Sequence, residues 1–554
     1  MSEIANRITG VDKVSDNNQH FDLVVIGAGI NGLGIARDAA ERGLKVCLIE
    51  QYDICSGVSA WSGRLVHGGL RYLEHLDIKL VRESLRERER LFKLAPHLVK
   101  PEYLIMPFYK RNKRQPWLIA LGMLAYDFLS FDKSVPWHRI LGRKQVLERF
   151  PAMNKGGLSG AALFIDGQVE YAERLCVEIA VAASEAGCVI MNHQKVTRIR
   201  HVDGSVSSVL LENDHGDKLE IQSEVVINAG GPWVDLVNST SHSEQETSSP
   251  RLIGGSKGSH IIVDPFPGAP DDVVYYESQA DGRLVLVIPW MGRYLIGTTD
   301  ILFDDDPDSA RADVEEISYL LSEVNTLIPE AGLKYEDILY TYSGVRPLPY
   351  MPGVSEWKIP RSHIVYNHKK DGISGLYSIV SGKLTTYRQL AEDAVDLAMK
   401  ENFSKFQRTK TKDAPFPGAR DYDPEKLITK IQDSPWVSRG SAERLVSIYG
   451  SRCLKIVDMA NENSELSEKF DPDSDAIAAE LIFAVRFEFA KDLTDVMARR
   501  SLLAFEPGHG LRGARRAAEI LGAELGWDEV QIQKSLDNYK NWLDHLRIPS
   551  QVAR

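Results

Sequence analysis

The chain has 554 residues, 43% hydrophobic and 26% charged, enough to bury the cores of two or three domains. Its net charge of −12 excludes nucleic acid as the main partner, because a duplex binder needs a basic face, yet leaves room for a locally basic pocket that takes a small anion. Five cysteines (Cys47, Cys55, Cys176, Cys188 and Cys453) are never spaced C-x-x-C; they fit a reducing compartment with no disulfide framework and no cysteine metal site.

Residues 1–20 are polar and mixed in charge, without the apolar core of a secretory signal, and are expected to be a disordered leader. No run of about 18 apolar residues occurs, so nothing is expected to span a bilayer. From Phe21 onward, Asp22–Ile26 is a short β-branched run, a helix is predicted from about Ile30 to Arg42, and Lys45–Glu50 is a second strand. Residues Ile78–Lys93 set Leu80, Leu85, Leu91 and Phe92 among dense charge, as a half-exposed helix does. Val189–Ile227 reads as a meander, turning at Asp203-Gly204 and His215-Gly216. Arg251–Asn367 reads as mostly strands, with Leu284–Ile288 and Tyr294–Ile296 flanking a turn at Met291-Gly292-Arg293. A helix is expected after Ser381-Gly382, with Leu384, Leu390, Val395 and Ala398 on its apolar face. Residues 411–424 form a linker around Ala414-Pro415-Phe416-Pro417-Gly418, and 425–554 are helical, including one run from Asp475 to Leu503.

The first chemical signal is Gly27-Ala28-Gly29-Ile30-Asn31-Gly32. Gly27 permits a tight turn, Gly29 lets a pyrophosphate approach the backbone, and Gly32 lets helix and strand pack closely. The helix that follows aims its N–H groups and positive dipole end at the phosphates. Glu50, closing the next strand, can accept both hydroxyls of an adenosine ribose. This motif alone does not choose between FAD and NAD. Two later segments favour the flavin: the small-residue turn Asn228-Ala229-Gly230-Gly231-Pro232-Trp233, and Ser381-Gly382-Lys383-Leu384-Thr385-Thr386 opening a late helix. A helix N-terminus there would stabilise the charge that a flavin gains on reduction.

The stretch from Ser62 to Glu74, with Arg64-Leu65-Val66-His67-Gly68-Gly69-Leu70-Arg71-Tyr72 at its centre, resembles a signature of FAD-dependent glycerol-3-phosphate dehydrogenases of the aerobic, respiratory kind. Lys257-Gly258-Ser259-His260, Ile288-Pro289-Trp290, Gly297-Thr298-Thr299-Asp300, Thr341–Pro347 and Gly382–Arg388 resemble the family in the same order. Asp495-Val496-Met497-Ala498-Arg499-Arg500 is similar to its helical cap. Val58 and Gly63 depart from the pattern, standing where it has hydroxyl residues.

The resemblance implies an α/β fold: a Rossmann-like FAD-binding domain over 21–410, an interleaved, mostly antiparallel β substrate domain (roughly 78–150 and 251–370), and a C-terminal helical cap. It implies oxidation of sn-glycerol 3-phosphate at C2 to dihydroxyacetone phosphate, with hydride passing to flavin N5 and electrons onward to a membrane quinone. Such a reaction needs a base for the hydroxyl proton, and His260 is the candidate. Guanidinium forks match a phosphate bidentately, and the resemblance gives that part to Arg346 and Arg361, with Arg71, Tyr72 and Lys383 completing the pocket. Arg346 could also stabilise the alkoxide forming at C2. Cofactor contacts are assigned to Gly27, Gly29, Gly32, Glu50, Ser59, Ser62, Val196, Gly230, Gly382, Lys383 and Thr385. His67 either joins them or caps a turn. The other histidines lack metal-ligand spacing, and no metal is expected.

Lys110–Arg114 is basic and precedes the apolar run Trp117–Tyr126. That pairing suits a segment lying on anionic lipid, or a buried helix behind a basic loop; the implied quinone favours lipid. The expected location is therefore cytoplasmic, attached peripherally to the inner face of the cell membrane, with a homodimer left open. The closest rival is a glycerol-3-phosphate oxidase that hands electrons to O₂ and makes hydrogen peroxide. A non-catalytic flavin-binding protein would not need His260, Arg346 and Lys383 together.

Overall fold

The computed structural model describes residues 19–70, 72, 77–241, 249–354 and 358–550. The expected leader lies outside these residues up to Asn18, and Arg71 lies outside them too. His20, just before Phe21, already bridges to Gln222.

Leu23–Ile26 is a continuous apolar run, buried on both faces, as the centre of a parallel sheet requires. It lies between Val226–Asn228 and Val46–Ile49 in a six-stranded sheet. The order runs Ile364–Asn367, Leu376–Val380, Val226–Asn228, Leu23–Ile26, Val46–Ile49, Val189–Met191, and only the Ile364–Asn367 edge is antiparallel. The helix Ile30–Glu41 packs between the helices Ala172–Glu185 and Tyr387–Asn402 on this sheet. The expected meander is a separate antiparallel trio, Gln194–Val202, Ser205–Asn213 and Lys218–Gln222.

A ten-stranded sheet stands beside the first and is antiparallel apart from the pairing of Val273–Glu277 with Val99–Tyr109. Its hairpin turns at Met291 (φ 50°) and Gly292 (φ 70°), the two positive values that a tight two-residue turn needs. The substrate part is not confined to 78–150 and 251–370. Leu158–Val169 pairs along the whole of Val99–Tyr109, and Leu65–Val66 adds an edge, whereas Ile364–Asn367 belongs to the first sheet. The strand-rich region also holds a helix, Val314–Leu327, capped by Asp313.

The 411–424 linker is packed tightly. Phe416 is fully buried beneath the Arg37 guanidinium, and Gly418 N donates to Glu178 Oε2 at 2.7 Å. The expected helix from Asp475 to Leu503 is broken. It runs only over Ala478–Phe487, because Phe489 takes φ 63°, and a short π-helical turn then carries Val496–Arg500. That turn docks the cap. Arg500 and Arg499 both grip the buried carboxylate of Asp53, and Arg174 grips Glu488 bidentately at 2.6 and 2.7 Å.

Candidate functional site

One cavity of about 880 Å³ runs from the end of the first sheet to the face of the second. At its near end Gly27 takes φ 100°, and a Cβ there would lie 2.7 Å from Ala229 O. A Cβ on Gly32 would stand 1.9 Å from Gly27 O, so Gly32 is a packing glycine and does not line the cavity. Gly29 does line it, as the residue before the helix Ile30–Glu41. Ser59 Oγ accepts from Ile30 N at 3.0 Å. Glu50 accepts from Ala28 N at 2.7 Å and Tyr52 N at 2.9 Å, which fixes the carboxylate at the strand end while burial raises its pKa.

Val196, Ser62 and Gly230 line the same channel, and so do Gly382 and Thr385. The helix after Gly382 starts only at Tyr387, so Gly382–Thr386 is a turn held by Ser381 (φ 64°) and Gly382 (φ 126°). His67 is half-buried on the wall, its backbone N–H donating to Thr385 Oγ1 at 3.2 Å, and desolvation lowers its pKa. Asn31 Oδ1 is buried without a hydrogen-bond partner beside the Gly382 turn. A glycine cradle, a fixed carboxylate and this unpartnered oxygen fit a dinucleotide.

The far end is built from strand residues. On Ile253–Val263, Gly258 and His260 turn to the cavity while Lys257 and Ser259 turn away, as strand alternation requires. The outward pair is structural: Ser259 Oγ donates to Glu316 at 2.8 Å and Lys257 Nζ lies 3.0 Å from the same carboxylate. His260 lies opposite Tyr342 and Gly297, and a Cβ on Gly297 would meet its ring at 2.2 Å. Its Nδ1 is sealed without a partner, while Nε2 lies beside Gly63 on the cavity wall. Burial, reinforced by Arg346 and Arg64, pushes His260 down to about 3, so the ring is neutral.

Arg346 lies over Gly258, whose Cβ would stand 2.3 Å from the guanidinium. Arg346 and Arg361 both reach Asp300, at 3.1 and 3.3 Å. Lys383 places its ammonium 3.6 Å from the centre of the Tyr72 ring, and burial brings it down to about 7. The cavity thus gathers all the expected site residues except Gly32 and the undescribed Arg71. Sequence reasoning gave no role to Arg283, Lys358 or Asp300, which also line it; Asp300 stood in a quoted motif, but nothing local showed what it would face.

Asp53, His193 and Asp495 bring three donor atoms within 4.8 Å, a metal-like grouping that spacing did not reveal. Asp53 gives both oxygens to Arg500 and Arg499 donates to Asp53 and Asp495, so the group is an interdomain ion-pair network.

A nucleotide-type cradle opening onto a cationic pocket with a buried neutral histidine fits a flavoprotein oxidoreductase. The comparisons agree. The model of the FAD dependent oxidoreductase family matches residues 22–388, and that of the C-terminal domain of alpha-glycerophosphate oxidase matches 409–532. A glycerol-3-phosphate dehydrogenase of Synechocystis sp. is 43% identical, covering 96% of this chain and 98% of its own. An aerobic glycerol-3-phosphate dehydrogenase of Staphylococcus haemolyticus is 34% identical over 89% and 88%. The solved structure of a Bacillus halodurans glycerol-3-phosphate dehydrogenase complexed with FAD superposes with a TM-score of 0.78 at 26% identity, covering 98% of each chain. The chain belongs to the FAD-dependent glycerol-3-phosphate dehydrogenase family, and its cofactor is FAD.

Proposed function

We propose that the protein oxidises sn-glycerol 3-phosphate to dihydroxyacetone phosphate and passes the electrons to a membrane quinone. The observation that carries the reading is the neutral, sealed His260 beside Arg346 in a cavity whose other wall is the cofactor cradle. Gly29, Glu50, Ser59 and the Gly382–Thr385 turn would hold FAD, which when bound would supply the acceptor for the hydride from C2. His260 Nε2 takes the hydroxyl proton, which only a neutral imidazole can do. Arg346 and Arg361 hold the phosphate, and Arg346 faces the oxygen whose charge grows as the proton leaves.

The quinone and the membrane are supported by the helix Pro116–Leu129. Its outer face exposes Trp117 (68%), Leu118, Leu121, Leu124 and Phe128 (75%), and Phe131 and Trp137, beyond the helix, are exposed as well. Contiguous exposed apolar surface of this kind marks an interaction site. Its occupant here is a lipid surface, since aromatic residues rim the patch and basic residues precede it. The basic part is the weaker one, because Arg114 is paired with Glu277 at 2.9 Å and Lys113 Nζ donates to Asp281 O. Tyr126 does not belong to the rim. It is buried on the inner face, donating to Asp166 at 2.7 Å and accepting from Gly68 N at 2.9 Å, and Asp166 lines the cavity. Among the described residues no helix is long and apolar enough to cross a membrane.

The test is turnover of the holoenzyme with glycerol 3-phosphate and, separately, glycerol, each with a soluble quinone or with O₂. Dihydroxyacetone phosphate should form in step with quinone reduction, and glycerol should react far more slowly. Equal turnover of both alcohols would break the substrate reading. Stoichiometric peroxide with no quinone reduction would replace the dehydrogenase by an oxidase.

A further inference from the structure

The substrate end of the cavity brings several cationic side chains together, and like charges so placed repel. Arg283, Arg346, Arg361 and Lys383 all line it. One residue ties three of them. Asp300 Oδ1 accepts from Arg346 at 3.1 Å and also from Ser256 Oγ, Oδ2 accepts from Arg361 at 3.3 Å, and the carbonyl oxygen accepts from Arg283 at 2.5 Å. The three guanidiniums come from separate places: Arg283 precedes the strand Leu284–Trp290, Arg346 is on Ile338–Pro349, and Arg361 precedes Ile364–Asn367. The strand that Arg283 precedes and the strand of Arg346 belong to the same ten-stranded sheet, joined through two intervening strands, whereas Arg361 precedes a strand of the other sheet; the Asp300 carboxylate ties Arg346 to Arg361 directly. Arg346 is further restrained by Thr298 Oγ1 at 3.1 Å and by the floor at Gly258.

We propose that Asp300 is the positioning residue of the anion pocket: its carboxylate holds Arg346 and Arg361 convergent before the substrate phosphate arrives. The inference rests on the phosphate reading of this pocket, and it runs against the simplest electrostatic expectation. A carboxylate on the wall repels a phosphate, so removing its charge should tighten anion binding if charge alone mattered. If Asp300 works by alignment, removing it loosens both forks and weakens the same binding despite the more favourable charge. A guanidinium is a planar fork of five N–H donors, so fixing part of it on Asp300 fixes the plane of the whole fork.

The sign of the effect therefore decides. Binding of inorganic phosphate to FAD-loaded wild type, Asp300→Asn and Asp300→Glu is measured by titration calorimetry, with flavin content and melting temperature checked in each. Alignment predicts at least tenfold weaker phosphate binding in Asp300→Asn. It predicts no rescue in Asp300→Glu, which keeps the charge but moves it by a methylene. In turnover, KM for glycerol 3-phosphate should rise about as much as the phosphate dissociation constant, with kcat falling less. Unchanged or tighter phosphate binding in Asp300→Asn overturns the proposal, as does full recovery in Asp300→Glu. Loss of FAD from both variants would also overturn it, by making Asp300 a support of the fold. The calorimetric result does not depend on the substrate: if glycerol 3-phosphate proves inert while phosphate binding still falls in Asp300→Asn, the functional reading fails and the role of Asp300 stands.

Discussion

At the cofactor end of the cavity a ligand meets backbone: the turn at Gly27–Gly32, the Gly382 turn, and one carboxylate, Glu50, fixed by two N–H groups. At the substrate end it meets long charged side chains, brought from different strands and held by one another. The first end is shaped by steric room, the second by charge and alignment. A change in the first should act all or none, and a change in the second should be graded. The difference also separates retention of the cofactor from recognition of the substrate, so each can be damaged without the other.

The largest expected effect is at the backbone end. Gly29→Val sets a β-branched side chain where the cofactor pyrophosphate approaches and should yield protein without FAD, read from the flavin absorbance of the purified variant. A yellow variant with full flavin content would break the comparison at its first term. Arg346→Lys should keep its FAD and lose about one to two orders of magnitude in kcat/KM. Lysine replaces the planar fork by a point charge, and a charge-assisted contact is worth roughly 1.5–3 kcal/mol. Near-normal kinetics would mean that Arg346 only pairs with Asp300.

The exposed apolar face of Pro116–Leu129, proposed above to meet lipid, sharpens the comparison by leaving both ends untouched. Replacing Trp117, Leu121 and Leu124 with serine should move the protein from the membrane to the soluble fraction with flavin reduction intact. Wild type should come off with detergent more completely than with salt, because salt screens charge but not apolar burial of roughly 1.5–3 kcal/mol per side chain. Sedimentation of the triple variant with membranes as before would remove this surface from the account.

The smallest effect is a pH dependence. Burial brings Lys383 down to about 7, so above that pH it is neutral before substrate binds. The phosphate favours the cationic form, so binding takes up a proton there, and KM should rise by up to about tenfold per pH unit above 7. Lys383→Arg, which stays charged, should flatten that rise; an equal slope in both proteins would dismiss Lys383 as its source.

The two ends were unequally legible in the sequence. The cofactor end is written locally: Gly27, Gly29 and Gly32 fall within six residues, and Glu50 ends the strand paired to theirs. The substrate end is scattered from Tyr72 to Lys383 and exists only once Ile253–Val263 pairs with Ile338–Pro349, so His260 and Arg346 were assigned by resemblance. Asp300 was missed because a carboxylate that organises arginines has no local pattern. Composition marked the apolar run Trp117–Tyr126, but it could not say that Tyr126 points inward to Asp166. The expected helix at 475–503 failed for a similar reason. The backbone reverses at Phe489 so that Arg499 and Arg500 can reach Asp53, a contact more than 400 residues away in the chain.

The central claim is that one cavity holds FAD against a site for glycerol 3-phosphate. Its most direct test is anaerobic mixing of the purified holoenzyme with sn-glycerol 3-phosphate while the flavin absorbance is followed. The account predicts full bleaching, one equivalent of dihydroxyacetone phosphate per flavin, and competition by inorganic phosphate; a flavin that stays oxidised in saturating glycerol 3-phosphate would contradict it.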